Sequence, residues 1–322
     1  MAIRKIAILT SGGDAPGMNA AVRAVVRTAL GRGIDIYGVY RGYNGLINGD
    51  LQPMHLRSVS DIIHRGGTVL YTARSPEFCT EAGLQKAVKT CQDAGIDGLV
   101  VLGGDGTFRG AQDLSRRGIP CVGLPCTIDN DIACCEQTIG YDTALNTCME
   151  MVDKLRDTSQ SHDRCSVVEV MGRHCGYLAL NVGIAVGATS ILVPEVPFDF
   201  ERDIVERMNQ TAATGKKHFI IVVAEGIGGV TKLTKRIEEE TGVESRATIL
   251  GHVQRGGNPT VSDRVLASRM GNYAVDLLCD GRSNRVVAIN NDCLTDYDIE
   301  EALHMKKVFD TDLYRMAHEI SI

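Results

Sequence analysis

Short, mostly apolar runs alternate along the chain with segments whose apolar residues recur every three or four positions. Runs at 3–9, 36–40, 98–102, 119–124, 166–171, 190–193, 219–223, 248–250 and 286–289 predict strands. The run at 98–102 is apolar throughout, as expected of a strand covered on both faces. Helical spacing follows. Ala20, Ala21, Val25 and Leu30 share one side after the first run. Residues 82–94 form an amphipathic pattern, and a helix is expected from Thr107 to about Arg117. Leu145, Met149, Val152 and Leu155 mark a long helix over 140–157, another begins after Gly176, and 260–278 forms a further one. The tail, 296–322, reads as a polar surface helix. Over the first 130 residues strand and helix alternate, which predicts a mostly parallel sheet with helices on both faces. With no internal repeat and no long linker, the strand count fits two three-layer α/β/α domains, mostly parallel, with the active site in a cleft between them.

Ligands of such sheets sit at the carboxyl ends of the strands, and here those ends carry unusual residues. The first strand runs into Thr10-Ser11-Gly12-Gly13-Asp14-Ala15-Pro16-Gly17-Met18-Asn19. Glycine lets a ligand approach the backbone, and the following helix start favours an anion. The spacing is neither the dinucleotide fingerprint nor the P-loop, and a simple tight turn fits equally well. The strand at 98–102 ends in Gly103-Gly104-Asp105-Gly106-Thr107, where glycines admit phosphates and the carboxylate can hold Mg²⁺, directly or through water. The strand at 119–124 delivers Pro125-Cys126-Thr127-Ile128-Asp129-Asn130-Asp131. The two carboxylates are expected to diverge, so one can act as a base on a hydroxyl while the other serves a metal or a neighbouring dipole. An Asp-rich surface turn would read the same way. Further cations stand near strand ends: Arg74 beside Ser75, Arg173 in Met171-Gly172-Arg173-His174, and His252 with Arg255 in Gly251-His252-Val253-Gln254-Arg255-Gly256-Gly257.

Composition narrows the class. Of 322 residues 44% are hydrophobic and 23% charged, an ordinary globular balance, and 35 glycines suit many tight turns. The net charge of −6 argues against a general nucleic-acid or membrane binder, so cations for an anionic substrate must be gathered locally. Eleven scattered cysteines without a C-x-x-C pair read as reduced thiols, mostly filling the core. No signal peptide is recognisable and no apolar run approaches about 18 residues, so a cytoplasmic protein is expected.

Taken together, in this order and spacing, the five motifs at 12–19, 103–107, 127–131, 171–173 and 251–257 resemble the bacterial 6-phosphofructokinase family, and the resemblance covers essentially the whole chain. It implies transfer of the γ-phosphoryl group of MgATP to the 1-hydroxyl of fructose 6-phosphate, giving fructose 1,6-bisphosphate and ADP, in a glycolytic homotetramer. It implies a nucleotide-binding domain over 1–138 with 256–304 and a sugar-phosphate-binding domain over 139–255 with 305–322. Asp129 resembles the general base. Thr127 and Arg173 resemble the stabilisers of the transferring group, and Asp105 the Mg²⁺ residue with Asp131 close by. Gly13, Arg74, Ser75, Gly104, Gly106 and Thr107 resemble the ATP side. Met171, Gly172, Glu225, His252 and Arg255 resemble the sugar-phosphate side, joined by Arg164 and Arg246 from a neighbouring chain. Phosphoryl transfer needs positioning and cancellation of charge, which one metal carboxylate, one base and several cations supply.

Some positions depart from the family pattern. Cys126 stands where ATP users usually have Gly and pyrophosphate users Lys, while Gly106 matches the ATP users. ATP is the expected donor; the alternatives are a pyrophosphate-dependent phosphofructokinase or a non-catalytic sugar-phosphate-binding regulator. Arg23, Arg27, Arg156, Gly187, Lys216, Lys217 and His218 resemble the effector pocket for ADP or phosphoenolpyruvate. Thr189 stands there in place of a Glu, Thr214 in place of a basic residue, and Leu56 in place of another. An altered effector response is the expectation.

Overall fold

A computed structural model describes residues 3–321. Its strands are Lys5–Thr10 (β1), Asp35–Val39 (β2), Leu51–Pro53 (β3), Gly98–Gly103 (β4), Cys121–Pro125 (β5), Cys165–Val170 (β6), Ser190–Leu192 (β7), Phe219–Ala224 (β8), Ser245–Ile249 (β9), Arg285–Asn290 (β10) and Cys293–Asp298 (β11). The helices are Met18–Gly31 (α1), Gly42–Asn48 (α2), Glu81–Asp93 (α3), Asp105–Ser115 (α4), Tyr141–Ser161 (α5), Tyr177–Ala185 (α6), Glu206–Ala213 (α7), Val230–Thr241 (α8), Val261–Cys279 (α9), Ile299–His304 (α10) and Thr311–Glu319 (α11). The chain divides into two compact units. The first holds the chain up to Ile128, Ile132–Thr143 and Arg255–Lys307; the second holds Asp129–Asp131, Ala144–Gln254 and the chain from Val308 onward.

The first unit is built on a seven-stranded sheet in the order β11-β10-β5-β4-β1-β2-β3. Its five inner strands run parallel, and β11 and β3 close the two edges antiparallel. Ile6 to Leu9 of β1 and Leu99 to Leu102 of β4 are fully buried, as strands covered on both faces must be. Thr10 lies opposite Leu102, and Leu102 opposite Leu124. The three phosphate-type loops therefore leave adjacent strands at the same level.

The second unit has a four-stranded parallel sheet in the order β7-β8-β6-β9. Its core packs Phe219, Ile221 and Val223 of β8 against Met208 of α7 and Ile237 of α8. Arg246 and Ala247 of the edge strand β9 are exposed.

Two local expectations change, and helices form at three places where no element was expected. The tail is not helical throughout: β11 returns along β10 through Asn291 and Asp292, both left-handed at φ 50° and 58°. That is the backbone of a two-residue primed hairpin turn. Its polar sequence conceals the strand because Asp296, with its side chain 4% exposed, is held by Arg282 and Arg285. The glycine-rich stretch after β2 is helical, and Gly45 has no room for a side chain because the Tyr40 carbonyl occupies that space. The strand expected at 248–250 begins at Ser245, which draws Arg246 into it. Residues 206–213 and 230–241, with no element expected, are helical.

Candidate active site

In the first unit the loop after β1 is tied to its neighbours by backbone and hydroxyl bonds. Ser11 N donates to Leu102 O at 2.9 Å, Thr107 Oγ1 to Ser11 O at 3.3 Å, and Thr72 Oγ1 to Gly12 O at 2.7 Å. The Arg255 guanidinium lies on this loop, donating to Asp14 O at 3.2 Å. A Cβ at Gly13 would stand 2.6 Å from one of its nitrogens, so the guanidinium packs directly on the bare glycine backbone and would have to move aside for a larger residue. Arg255 thus sits with the phosphate-type loop of its own unit, whereas the resemblance grouped it with the sugar side.

The turn after β4 leads straight into α4, with Asp105 exposed in the helix's first turn. A Cβ at Gly104 or Gly106 would meet nothing within 4 Å, so bare backbone borders open space on both sides of that carboxylate. A helix N-terminus beside open glycine backbone suits phosphate oxygens. An exposed carboxylate there suits a hydrated Mg²⁺ held largely by phosphates and water. Among the described residues no three His, Cys, Asp or Glu converge as a metal cage. Arg74 is exposed, and Ser75 is half-buried with its hydroxyl accepting from Phe78 N at 3.4 Å.

The turn after β5 is fixed from beneath. Cys126 N donates to Gly103 O and Ile139 N to Pro125 O, both at 2.9 Å. Thr138 Oγ1 donates to Thr127 O at 2.7 Å. Asp263, fully buried at the start of α9, accepts from Gly140 N and Thr143 N at 2.8 Å each, and from Thr143 Oγ1. Burial pushes its carboxyl up to about 6, while those hydrogen bonds favour the charged form. The strand's end, the Thr127 carbonyl and the start of α5 are thereby held together. Beyond them Asp129 is 7% exposed, Asn130 is left-handed at φ 50°, and Asp131 is half-buried. Alternation alone would put residues two apart on one face, but left-handed Asn130 turns the chain between them, and the two carboxylates differ in burial. Cys126 is 1% exposed, and burial holds its thiol well above the ordinary range, so it is a core group.

In the second unit β6 ends in Met171, Gly172 at φ 132° and Arg173 at φ 59°. A left-handed arginine costs about 1 kcal/mol, and here the Glu225 carboxylate holds it by accepting from Arg173 N at 2.6 Å. Glu225 follows β8, the strand beside β6, because Val170 lies opposite Ala224. Burial, and then the charge of Glu225, raises the carboxyl of Glu169. The loop after β9 forms one 3-10 turn, Gly251–Arg255, with His252 exposed on it. Arg164 and Arg246 lie at the other end of β6 and β9, both on Glu244: Arg164 Nε is 2.8 Å from Oε2, and Arg246 Nε is 3.1 Å from Oε1. A strand of six residues separates such ends by roughly 20 Å. Neither side chain reaches Arg173 or His252 of its own unit.

The residues that resemble an effector pocket fall into two groups. On α1, burial and then the charge of Arg27 lower the pKa of Arg23. In the second unit burial lowers Lys216 and His218, with Arg156 adding to both and Lys216 to His218. Arg156 donates to Val186 O, beside Gly187 at φ 57°. Lys217 is exposed. Thr189 is 1% exposed and offers no charge; Thr214 is exposed with its hydroxyl on Thr211 O, and Leu56 is 57% exposed.

Sequence reasoning passed over Asp263, Thr138 and Gln254. Thr260-x-x-Asp263 carries a visible helix-start signal, and Thr260 does cap Asp263 N at 3.3 Å. Nothing local says that the Asp263 carboxylate turns to Gly140 and Thr143 instead.

Comparison with known proteins agrees with this geometry. The family model for phosphofructokinase matches residues 5–278. A Clostridium botulinum protein named ATP-dependent 6-phosphofructokinase is 57% identical over 319 residues, covering 99% of this chain and 100% of its own. One of the same name from Bacillus velezensis is 54% identical over 320 residues, again 99% and 100%. Among solved structures, phosphofructokinase from Saccharomyces cerevisiae matches with a TM-score of 0.89 at 37% identity, covering 99% of this chain. This chain spans only 48% of the yeast chain. A pyrophosphate-dependent phosphofructokinase from Marinobacter aquaeolei, 21% identical with a TM-score of 0.86 over 96% and 86%, shares the fold. The chain belongs to the phosphofructokinase family.

Proposed function

We propose that this chain is an ATP-dependent 6-phosphofructokinase, acting in the cytoplasm in glycolysis. The observation that carries the reading is its 54% and 57% identity, over full length, to proteins bearing that name. Asp129 takes the proton of the 1-hydroxyl of fructose 6-phosphate as that oxygen attacks the γ-phosphorus. The bond from the γ-phosphorus to the β–γ bridging oxygen breaks, and ADP leaves. Thr127 and Arg173 offset charge on the transferring group. Asp105, with Asp131 nearby, would hold Mg²⁺, which when bound would supply positive charge to the phosphates. Gly13, Arg74, Ser75 and the loop from Gly104 to Thr107 bind the nucleotide. Met171, Gly172, Glu225, His252 and Arg255 bind the sugar phosphate. The first unit is the nucleotide-binding domain and the second the sugar-phosphate-binding domain of a homotetramer, in which Arg164 and Arg246 serve a neighbouring chain. A pure binder would have no use for the buried base.

The experiment is a turnover assay with fructose 6-phosphate and either MgATP or magnesium pyrophosphate. Gly106 and the absence of Lys at 126 lead us to expect turnover with ATP and little with pyrophosphate. Equal or faster turnover with pyrophosphate overturns the donor, and no sugar-dependent ADP release overturns the activity.

Effector behaviour follows from Thr189 and Thr214. A buried neutral Thr189 cannot supply a carboxylate, and Thr214 removes a cation. Activation by ADP and inhibition by phosphoenolpyruvate, measured at subsaturating sugar, are expected to be weak. Strong responses to both would show that the remaining cations suffice.

A further inference from the structure

Gln254 is fully buried in the second unit, between the two loops that carry the sugar-side residues. Its Oε1 accepts from Met171 N at 3.0 Å and from the Cys148 thiol at 3.1 Å. Its Nε2 donates to Gly251 O at 3.0 Å. The Met171 N–H can only donate and the Gly251 carbonyl can only accept, so a single orientation of the amide satisfies both. The bond to Met171 falls two residues before left-handed Arg173, and the bond to Gly251 one residue before His252. On the strand side Glu225 already holds Arg173 N, so the Met171–Arg173 loop is fastened at both ends. Each fastening bond runs to a side chain from a different loop.

From this we infer that Gln254 is a positioning residue for sugar-phosphate binding, a single amide that sets the Met171–Arg173 loop and the His252 turn relative to each other. The inference rests on the proposed activity. An unsatisfied buried N–H and C=O are costly, and the loops shift to find other partners. The amide itself makes no bond to the nucleotide loops, although the adjacent Arg255 donates to Asp14 O there, so the larger effect is expected on the sugar phosphate.

The test is Gln254→Met, which keeps the side chain's length and removes both bonds. The KM for fructose 6-phosphate is expected to rise roughly tenfold or more, the size of one lost buried hydrogen bond, with the KM for MgATP changing far less. Hydrogen exchange followed by mass spectrometry is expected to show lost protection at the Met171 amide. Gln254→Glu keeps the acceptor for Met171 and lacks the donor to Gly251. It should retain that protection while still raising the sugar KM, and it serves if the Met variant does not fold. A lowered melting temperature with both KM values unchanged overturns the inference, as does an equal rise in both. Wild-type protein that fails to phosphorylate fructose 6-phosphate from ATP sinks the activity, a result distinct from a variant that matches an active wild type.

Discussion

Asp129→Ser and Asp129→Asn are expected to lower kcat by about 10²–10⁴-fold while fructose 6-phosphate still binds, the range of a general base removed from a proton transfer. Asp129 is 7% exposed on the turn after β5, whose carbonyl at Thr127 is held by Thr138. The Asn variant keeps the shape of the side chain, so lost turnover cannot be ascribed to a collapsed turn. Steady-state kinetics give kcat, and calorimetric titration with the sugar phosphate gives binding. A variant within about tenfold of wild type in kcat would remove Asp129 from the role of base. Equal loss of binding and turnover would make it a sugar-holding group instead.

Mixed oligomers of two inactive variants are expected to recover activity. Arg246 and Arg164 sit together on Glu244 at the amino ends of β9 and β6, and Arg173 and His252 lie beyond the carboxyl ends of the same strands. A separation of roughly 20 Å exceeds the reach of an arginine side chain. Exposed Arg246 can meet the sugar phosphate of a facing copy across a two-fold contact. Arg246→Ala and Asp129→Ala should each be nearly inactive alone. In a mixed pair, one site joins an intact Asp129 to an intact arginine from its partner. Co-refolding the two, with mixed assembly verified by native mass spectrometry, reads the outcome. Mixed assembly without recovered activity would exclude a shared site.

The sequence alone determined nine of the eleven strands among the described residues, most helices and the strand-end motifs. Short continuous apolar runs bounded by glycine are consistent with buried strands, and the repeated pairing of glycine with aspartate, arginine or histidine at their ends makes recognisable motifs. β4 and the turn beginning at Gly103 lie where the apolar run and its glycines predict. So do Asp129 and Asp131 on the turn after β5. Local reading failed where pairing partners lie far along the chain. β11 looked helical because its polar Asp296 is satisfied by Arg282 and Arg285 across the hairpin. Arg246 looked like a loop residue until register placed Ser245 opposite Cys165. Only the tertiary structure decided which loop each buried polar group serves. Asp263 turns to Gly140 and Thr143, and Arg255 to the Gly13 loop. Gln254 turns to Met171 and Gly251. A buried polar side chain must find a partner, but local sequence does not say which of several distant donors will be within reach.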